Sequence, residues 1–200
     1  MTEKLHPQAI LFDMDGVLID SLDSWWQALN NAMKMNNHPG ISRKEFIERF
    51  WGHDLRENLE TSGLNPEILY FCNAIYQNYV DVVKIYEDTY PTLNQLRHYK
   101  KAIITNTPKD CTSHIMKQFD LKKYFHTIVT SDDVPRGKPS PDIVFKACEH
   151  LNVQPNNVVL VGDTNSDVLA GRHAGCTVIG INIPADYTIQ RLSELPALLA

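Results

Sequence analysis

Long hydrophobic runs are missing from this chain: the apolar stretches, VVLV and TVIGI among them, stop after four or five residues, far short of the roughly 20 that a membrane-crossing helix needs. The polar start MTEKLHPQ has no signal-peptide core. Together these absences predict a cytoplasmic protein with no membrane partner. Cysteine is sparse and scattered. Cys72, Cys111, Cys148 and Cys176 form no CxxC pair, so neither a disulfide framework nor a zinc knot is indicated, and reduced, buried thiols are expected. Positive charge is in deficit, with 19 Lys and Arg against 24 Asp and Glu for a net charge of -5. Nucleic-acid binders neutralise phosphates over a broad basic surface, so no nucleic-acid partner is expected. A small anionic substrate is not excluded, because one phosphate group needs only a local cluster of cations. No GxGxxG turn follows the first apolar run, which removes the phosphate cradle of a nucleotide-binding oxidoreductase. Internal repeats and low-complexity segments are absent as well.

What is present is an ordinary folding composition, 43% hydrophobic and 22% charged over 200 residues. Five short apolar runs read as buried strands, at 9–12, 102–105, 127–130, 158–161 and 177–181. Helix-like stretches at about 91–99, 108–119, 141–151 and 166–174 alternate with the later strands, three of them close to a proline of the kind favoured at a helix start. Strand alternating with helix implies an α/β fold: a Rossmann-like parallel sheet with helices on both faces. One connection breaks the pattern. Residues 13–101 separate the first two strands, where a βαβ crossover takes about 30 residues. The intervening segment is rich in helix formers and aromatics, with turn signals at HPG and SGLNP. It reads as a small all-helical cap of about four helices, spanning 21–87 and inserted into a core made of 1–20 and 88–200.

Ligands of open α/β sheets bind outside the carboxyl ends of the strands. Here the first strand ends in Asp13-Met14-Asp15-Gly16, the second in Thr105-Asn106, and the fourth in Gly162-Asp163 followed by Asp167. The period of two along a strand would place Asp13 and Asp15 on the same side. Carboxylates gathered in this way repel one another, and a hard divalent ion relieves the repulsion; Mg²⁺ suits an oxygen-only site that also holds substrate phosphate. The segment VPRGKPSPD supplies Lys138 as a fixed positive charge. Each residue alone has an ordinary structural reading: Asp15, Ser21, Thr164 or Asn165 as helix caps, Thr105 as a strand-end β-branched residue, Lys138 as a solvated loop lysine. Jointly, four polar elements in this order at strand ends would have to coincide.

These residues carry a resemblance. DMDGVLIDS, ITNT, RGKPSPD and VGDTNSDVLAGRHAGC resemble the four motifs of the haloacid dehalogenase superfamily, in its phosphatase and phosphomutase branch with a helical cap after the first strand. The resemblance implies that Asp13 is the nucleophile that forms an aspartyl phosphate, and that Asp15 is the general acid and base. Thr105 and the Asn106 backbone would hold phosphoryl oxygens, and Lys138 would pair with both Asp13 and the phosphoryl group. Mg²⁺ would sit on Asp13, the Asp15 carbonyl and Asp163, with Asp167 as a further ligand or an orienting group. Gly16 would let the chain turn into the cap beside the substrate. In the cap, FWGHDLR looks like the family's specificity loop, which makes His53 and Arg56 candidates to meet the leaving group; alternatively Arg56 lies on a solvated helix face and His53 is a cap residue. Trp25, Trp26 and Trp51 are expected mainly in the cap core. LRHYKKAIITN lacks the glycine often found between helix and strand before the second motif.

The expectation is therefore a Mg²⁺-dependent hydrolase of a small phosphate ester, such as a sugar phosphate or a phosphoglycolate-like acid. A sugar phosphomutase of the same family is one alternative. A phosphorylatable module like a response-regulator receiver is another, disfavoured by the long insert after the first strand.

Overall fold

The computed structural model describes residues 4–79 and 82–200. Its centre is a six-stranded parallel sheet of β1 (Ala9–Phe12), β4 (Lys100–Thr105), β5 (Thr127–Thr130), β6 (Val158–Gly162), β7 (Thr177–Ile181) and β8 (Tyr187–Ile189), in the order β5-β4-β1-β6-β7-β8. The four residues of β1 are completely buried, as a central strand covered on both faces requires. Their alternation assigns the faces. Ala9 and Leu11 pack with α7 (Asp142–Leu151) and α8 (Asn165–Ala174). Ile10 and Phe12 pack on the other side with Leu93 of α5 (Thr89–Gln95) and Ile115 of α6 (Lys109–Gln118).

Between β1 and α5 the described residues form four α-helices, α1 (Leu22–Met35), α2 (Arg43–Arg49), α3 (Leu55–Thr61) and α4 (Glu67–Tyr76). They give the all-helical cap of the expected fold class. The chain leaves and re-enters the core through a short antiparallel ribbon, β2 (Ile19–Asp20) with β3 (Lys84–Ile85), in which Ile19 faces Ile85. The apolar interior is continuous through this junction: Phe12, Met14 and Leu18 belong to one buried cluster with Leu29, Phe46, Ile68 and Cys72 of the cap.

The sheet has one strand more than the sequence suggests. β8 is three residues long, and only Ile189 of these is buried, too little apolar pattern to stand out. Helix α5 starts at Thr89 and stops at Gln95, earlier at both ends than the periodicity implies. Its exit explains the missing glycine. Lys101 is buried, and its Nζ donates to the carbonyls of Leu96 (2.6 Å) and Tyr99 (3.1 Å). An ammonium thus satisfies carbonyls that a helix C-terminus otherwise leaves open. Burial lowers the pKa of Lys101 from the usual lysine value. All four cysteines are buried free thiols; burial raises Cys148 to about 11 and, with Cys148 nearby, Cys176 to about 12. Among the described residues no helix is long and apolar enough to cross a membrane.

Candidate active site

Register brings the chemistry together. Phe12 pairs with Ile103 on one side and Val161 on the other, so Thr105 at the end of β4 and Asp13 and Asp163 just beyond β1 and β6 arrive at one rim. The Asp13 N–H still donates to the Val161 carbonyl (2.9 Å). From the loop ahead of α7, Lys138 reaches into the same rim and is only 1% exposed. Its Nζ lies 2.8 Å from Asp13 Oδ1 and 2.7 Å from Asp167 Oδ1.

Charge does not balance in this cluster. Asp13, Asp163 and Asp167 each place a carboxylate oxygen within 4.8 Å of the others, against the single ammonium of Lys138. Burial raises the Asp13 carboxyl well above the usual range; Asp167 adds to that effect and Lys138 opposes it. Burial, with Asp167 next to it, raises Asp163 to about 7. Burial alone would lower Lys138, but its two carboxylate partners hold it above the ordinary lysine value.

The oxygens divide into engaged and free. Asp167 is fully committed: Oδ1 takes Lys138, and Oδ2 accepts from the Thr164 N–H (3.0 Å) and hydroxyl (2.6 Å) at the start of α8. Its position therefore fits an orienting group rather than a direct ligand. Asp163 Oδ2 accepts from Trp51 Nε1 at 3.3 Å. Asp163 Oδ1 is buried and has no hydrogen-bond partner among the described residues. A buried acceptor left alone costs about 1–3 kcal/mol, and a hard cation held by Asp163 and Asp13 would remove that cost. The donor set, all oxygen, fits such an ion.

Gly16 is explained by the same group. It adopts φ +79°, and a Cβ there would lie 2.0 Å from Asp163 Oδ2. Its main task is to let this carboxylate approach the backbone, beyond the turn expected from sequence.

Asp15 sits in different company. Its Oδ2 accepts from the hydroxyls of Thr107 (2.7 Å) and Thr105 (3.3 Å), and its Oδ1 from Trp25 Nε1 (3.3 Å) and the Ser21 hydroxyl. Ser21 stands at the N-terminus of α1 but makes no side-chain cap bond there, so the capping alternative gives way to a bond with Asp15. The Thr107 N–H also donates to Thr105 Oγ1 (3.1 Å). Sequence reasoning passed over Thr107 although it ends the ITNT motif; a second hydroxyl two residues past Thr105 was the available signal.

Asn106 works through its side chain. Its amide exchanges a pair of bonds with the Lys138 main chain (both 2.8 Å) and reaches the Gly52 carbonyl (3.3 Å). It holds the Lys138 loop and touches the cap at once.

The α2–α3 connection closes over the rim. Gly52 has φ +76°, and a Cβ would meet Thr164 Cγ2 at 2.4 Å. His53 Nδ1 lies 3.3 Å from Ser166 Oγ, and Arg56 pairs loosely with Asp132 (3.7 Å) while staying half exposed. Both line an open cavity between cap and core, which Asp13, Asp15, Thr105, Asn106 and Lys138 also line. Trp25 and Trp51 combine two tasks, packing against the cap core and lining this cavity, whereas Trp26 donates to the Ile41 carbonyl (3.0 Å).

A buried lysine between two aspartates, an unsatisfied carboxylate oxygen and a second aspartate ringed by hydroxyls define a hydrolase-type centre at the end of a doubly wound sheet. Residues 10–181 match the family model described as haloacid dehalogenase-like hydrolase, and the chain belongs to that family. It is 31% identical to "Pyrophosphatase PpaX" of Bacillus velezensis, covering 98% of this chain and 97% of that one. Among solved structures it resembles a HAD phosphatase from Thermococcus onnurineus (30% identity, TM-score 0.70, 95% and 96% of the two chains). It also shares its fold with CbbY from Rhodobacter sphaeroides in complex with phosphate (20% identity, TM-score 0.85, 94% and 96%).

Proposed function

We propose that this chain is a Mg²⁺-dependent phosphatase that hydrolyses a small phosphate monoester through an aspartyl phosphate on Asp13. The single observation that carries the reading is the Asp13–Lys138–Asp167 arrangement beside the unsatisfied Oδ1 of Asp163. In the proposed reaction the Asp13 carboxylate attacks phosphorus while Asp15 gives a proton to the departing oxygen. Asp15 then takes a proton from the water that cleaves the acyl phosphate, releasing inorganic phosphate and restoring Asp13. Hydroxyls can donate to a carboxylate or accept from a carboxylic acid. The hydroxyls of Thr107, Thr105 and Ser21 can therefore hold Asp15 in place in either state. Lys138 and Thr105 would hold the phosphoryl oxygens, so that charge is met by groups already in position.

Asp13, Asp163 and the Asp15 carbonyl would hold Mg²⁺, and Asp167 would orient Lys138. When bound, the ion would neutralise the carboxylates and the incoming phosphoryl charge. The hydrolase family supports the phosphatase over a receiver-like module. A sugar phosphate or phosphoglycolate-like acid follows from the family resemblance alone, and the rim is indifferent to the leaving group.

The test is Mg²⁺-dependent release of phosphate from p-nitrophenyl phosphate, lost in Asp13→Asn. Full activity in that variant would end the proposal. Binding gives a second readout: Mg²⁺ at a hundred times its Kd should add about 2.7 kcal/mol to unfolding stability, and the gain should vanish in Asp163→Asn.

A further inference from the structure

The two walls of the cavity differ in kind. The core wall carries the acids, the hydroxyls and Lys138. On the cap wall stand Trp25, Leu29, Phe46, Phe50, Trp51 and Leu69. This wall is packed rather than loose: Phe46 and Phe50 are each 4% exposed, their ring centroids lie 6.4 Å apart at 10°, and Trp51 tilts against Phe46 at 6.1 Å. Trp25 stacks on Tyr76 at 3.7 Å and 10°.

Charge on the cap side nearly cancels. His53, Asp54 and Arg56 are the charged or basic cap side chains at the cavity, beside the buried Cys72 thiol, and Asp132 of the core faces them. Arg56, the one fixed cation among them, already has Asp132 at 3.7 Å. Asp54 uses its Oδ1 to cap α3 through the N–H groups of Arg56 and Glu57, and its Oδ2 faces Gly137. A second anionic group on the substrate would thus meet two carboxylates and one arginine that is already paired, at a net electrostatic cost.

A neutral polar side chain also stands among the apolar residues of the cap wall. Asn73 of α4 lines the cavity, and its Oδ1 is buried with no hydrogen-bond partner among the described residues. Such an acceptor is costly to leave alone, and a site built with one rejects ligands lacking the matching donor.

We infer that the substrate is a phosphate monoester whose leaving group is uncharged and flat or largely apolar, carrying one hydrogen-bond donor for Asn73, rather than a polyol, a carboxylate or a second phosphate. The net reaction adds water across the P–O bond, with the proton going to the released alcohol and the oxygen to phosphate. This inference rests on the phosphatase reading and narrows the sugar-phosphate or phosphoglycolate-like expectation. It also separates the chain from a pyrophosphatase, whose substrate leaves as a phosphate anion.

The experiment uses the full chain with Mg²⁺ and compares kcat/KM for benzyl phosphate, glycerol 1-phosphate, 2-phosphoglycolate and inorganic diphosphate. The first two expel primary alcohols, so their ratio reports the pocket rather than leaving-group chemistry. Benzyl phosphate should lead each of the others at least tenfold. Adding a 3-hydroxyl or 3-hydroxymethyl group should raise kcat/KM further in the natural protein, and Asn73→Leu should erase that increment. Asp132→Asn, which frees Arg56, should raise kcat/KM for 2-phosphoglycolate at least threefold relative to benzyl phosphate. Turnover led by diphosphate, 2-phosphoglycolate or the glycerol ester, and still dependent on Asp13, overturns the inference and leaves the phosphatase reading standing. Absence of turnover on all four overturns both.

Discussion

Asp13 and Asp15 are separated by one residue, yet they inhabit opposite surroundings. Asp13 is set among full charges, with a lysine at 2.8 Å and two further carboxylates within 4.8 Å. Asp15 is set among neutral donors, two threonines, a serine and an indole. The difference teaches how one strand end can serve two chemical roles. Around the proposed nucleophile a cation, Lys138, opposes the burial and like charge that favour the protonated acid, and it can draw phosphoryl oxygens to the site. Hydroxyls orient a group without fixing its charge, which suits a proton carrier.

Four substitutions sharpen or break that contrast. Asp13→Asn should have the largest effect and reduce phosphate release to background, since the attacking oxygen is lost; a burst of alkali- and hydroxylamine-labile protein-bound phosphate, trapped by acid quench, should vanish with it. Asp15→Asn should reduce kcat by about 10²–10⁴, the usual range for general acid–base groups, and p-nitrophenyl phosphate, whose leaving group needs little protonation, should suffer least. Near-equal losses for Asp13→Asn and Asp15→Asn on that ester would erase the proposed division of roles. Thr107→Val removes the shorter hydroxyl bond to Asp15, and a bond to a charged group of about 1.5–3 kcal/mol implies a fall in kcat of roughly tenfold or more, with KM little changed. Trp51→Phe removes the cap's bond to Asp163. It should weaken Mg²⁺ binding by about three- to tenfold, measured by calorimetry, while leaving the Asp15 side untouched. Lys101→Met is the control outside both regions: it leaves the Leu96 and Tyr99 carbonyls unsatisfied, should lower stability by about 1–3 kcal/mol in urea unfolding, and should keep kcat within about twofold, since the group lies away from the cavity.

The apolar runs showed the five longer strands, because residues buried on both faces leave an uninterrupted signal. The two-residue strands β2 and β3 and the three-residue β8 left none. Asp13, Asp15, Thr105, Lys138 and Asp163 were legible as candidates, because each follows a strand or sits in a stiff loop. Thr107 was hidden within a motif already credited to its neighbours. Trp25 and Trp51 looked like packing residues and do pack, yet their indole N–H groups also reach Asp15 and Asp163.

Local pattern by itself determined the alternation of strand and helix, the insertion after the first strand, and the acids that gather at the strand ends. These depend on side-chain period and on the rule that loops at strand termini meet at one rim. Only the tertiary structure decided which carboxylate oxygens are engaged and that Asp163 Oδ1 is left unpaired among the described residues, why residue 16 is a glycine, and which cap residues line the cavity. Trp51 and Asp163 stand 112 residues apart, and no periodicity within either segment encodes their meeting. It arises when helices with their own apolar faces settle over a sheet, and burial then fixes which polar atoms find partners.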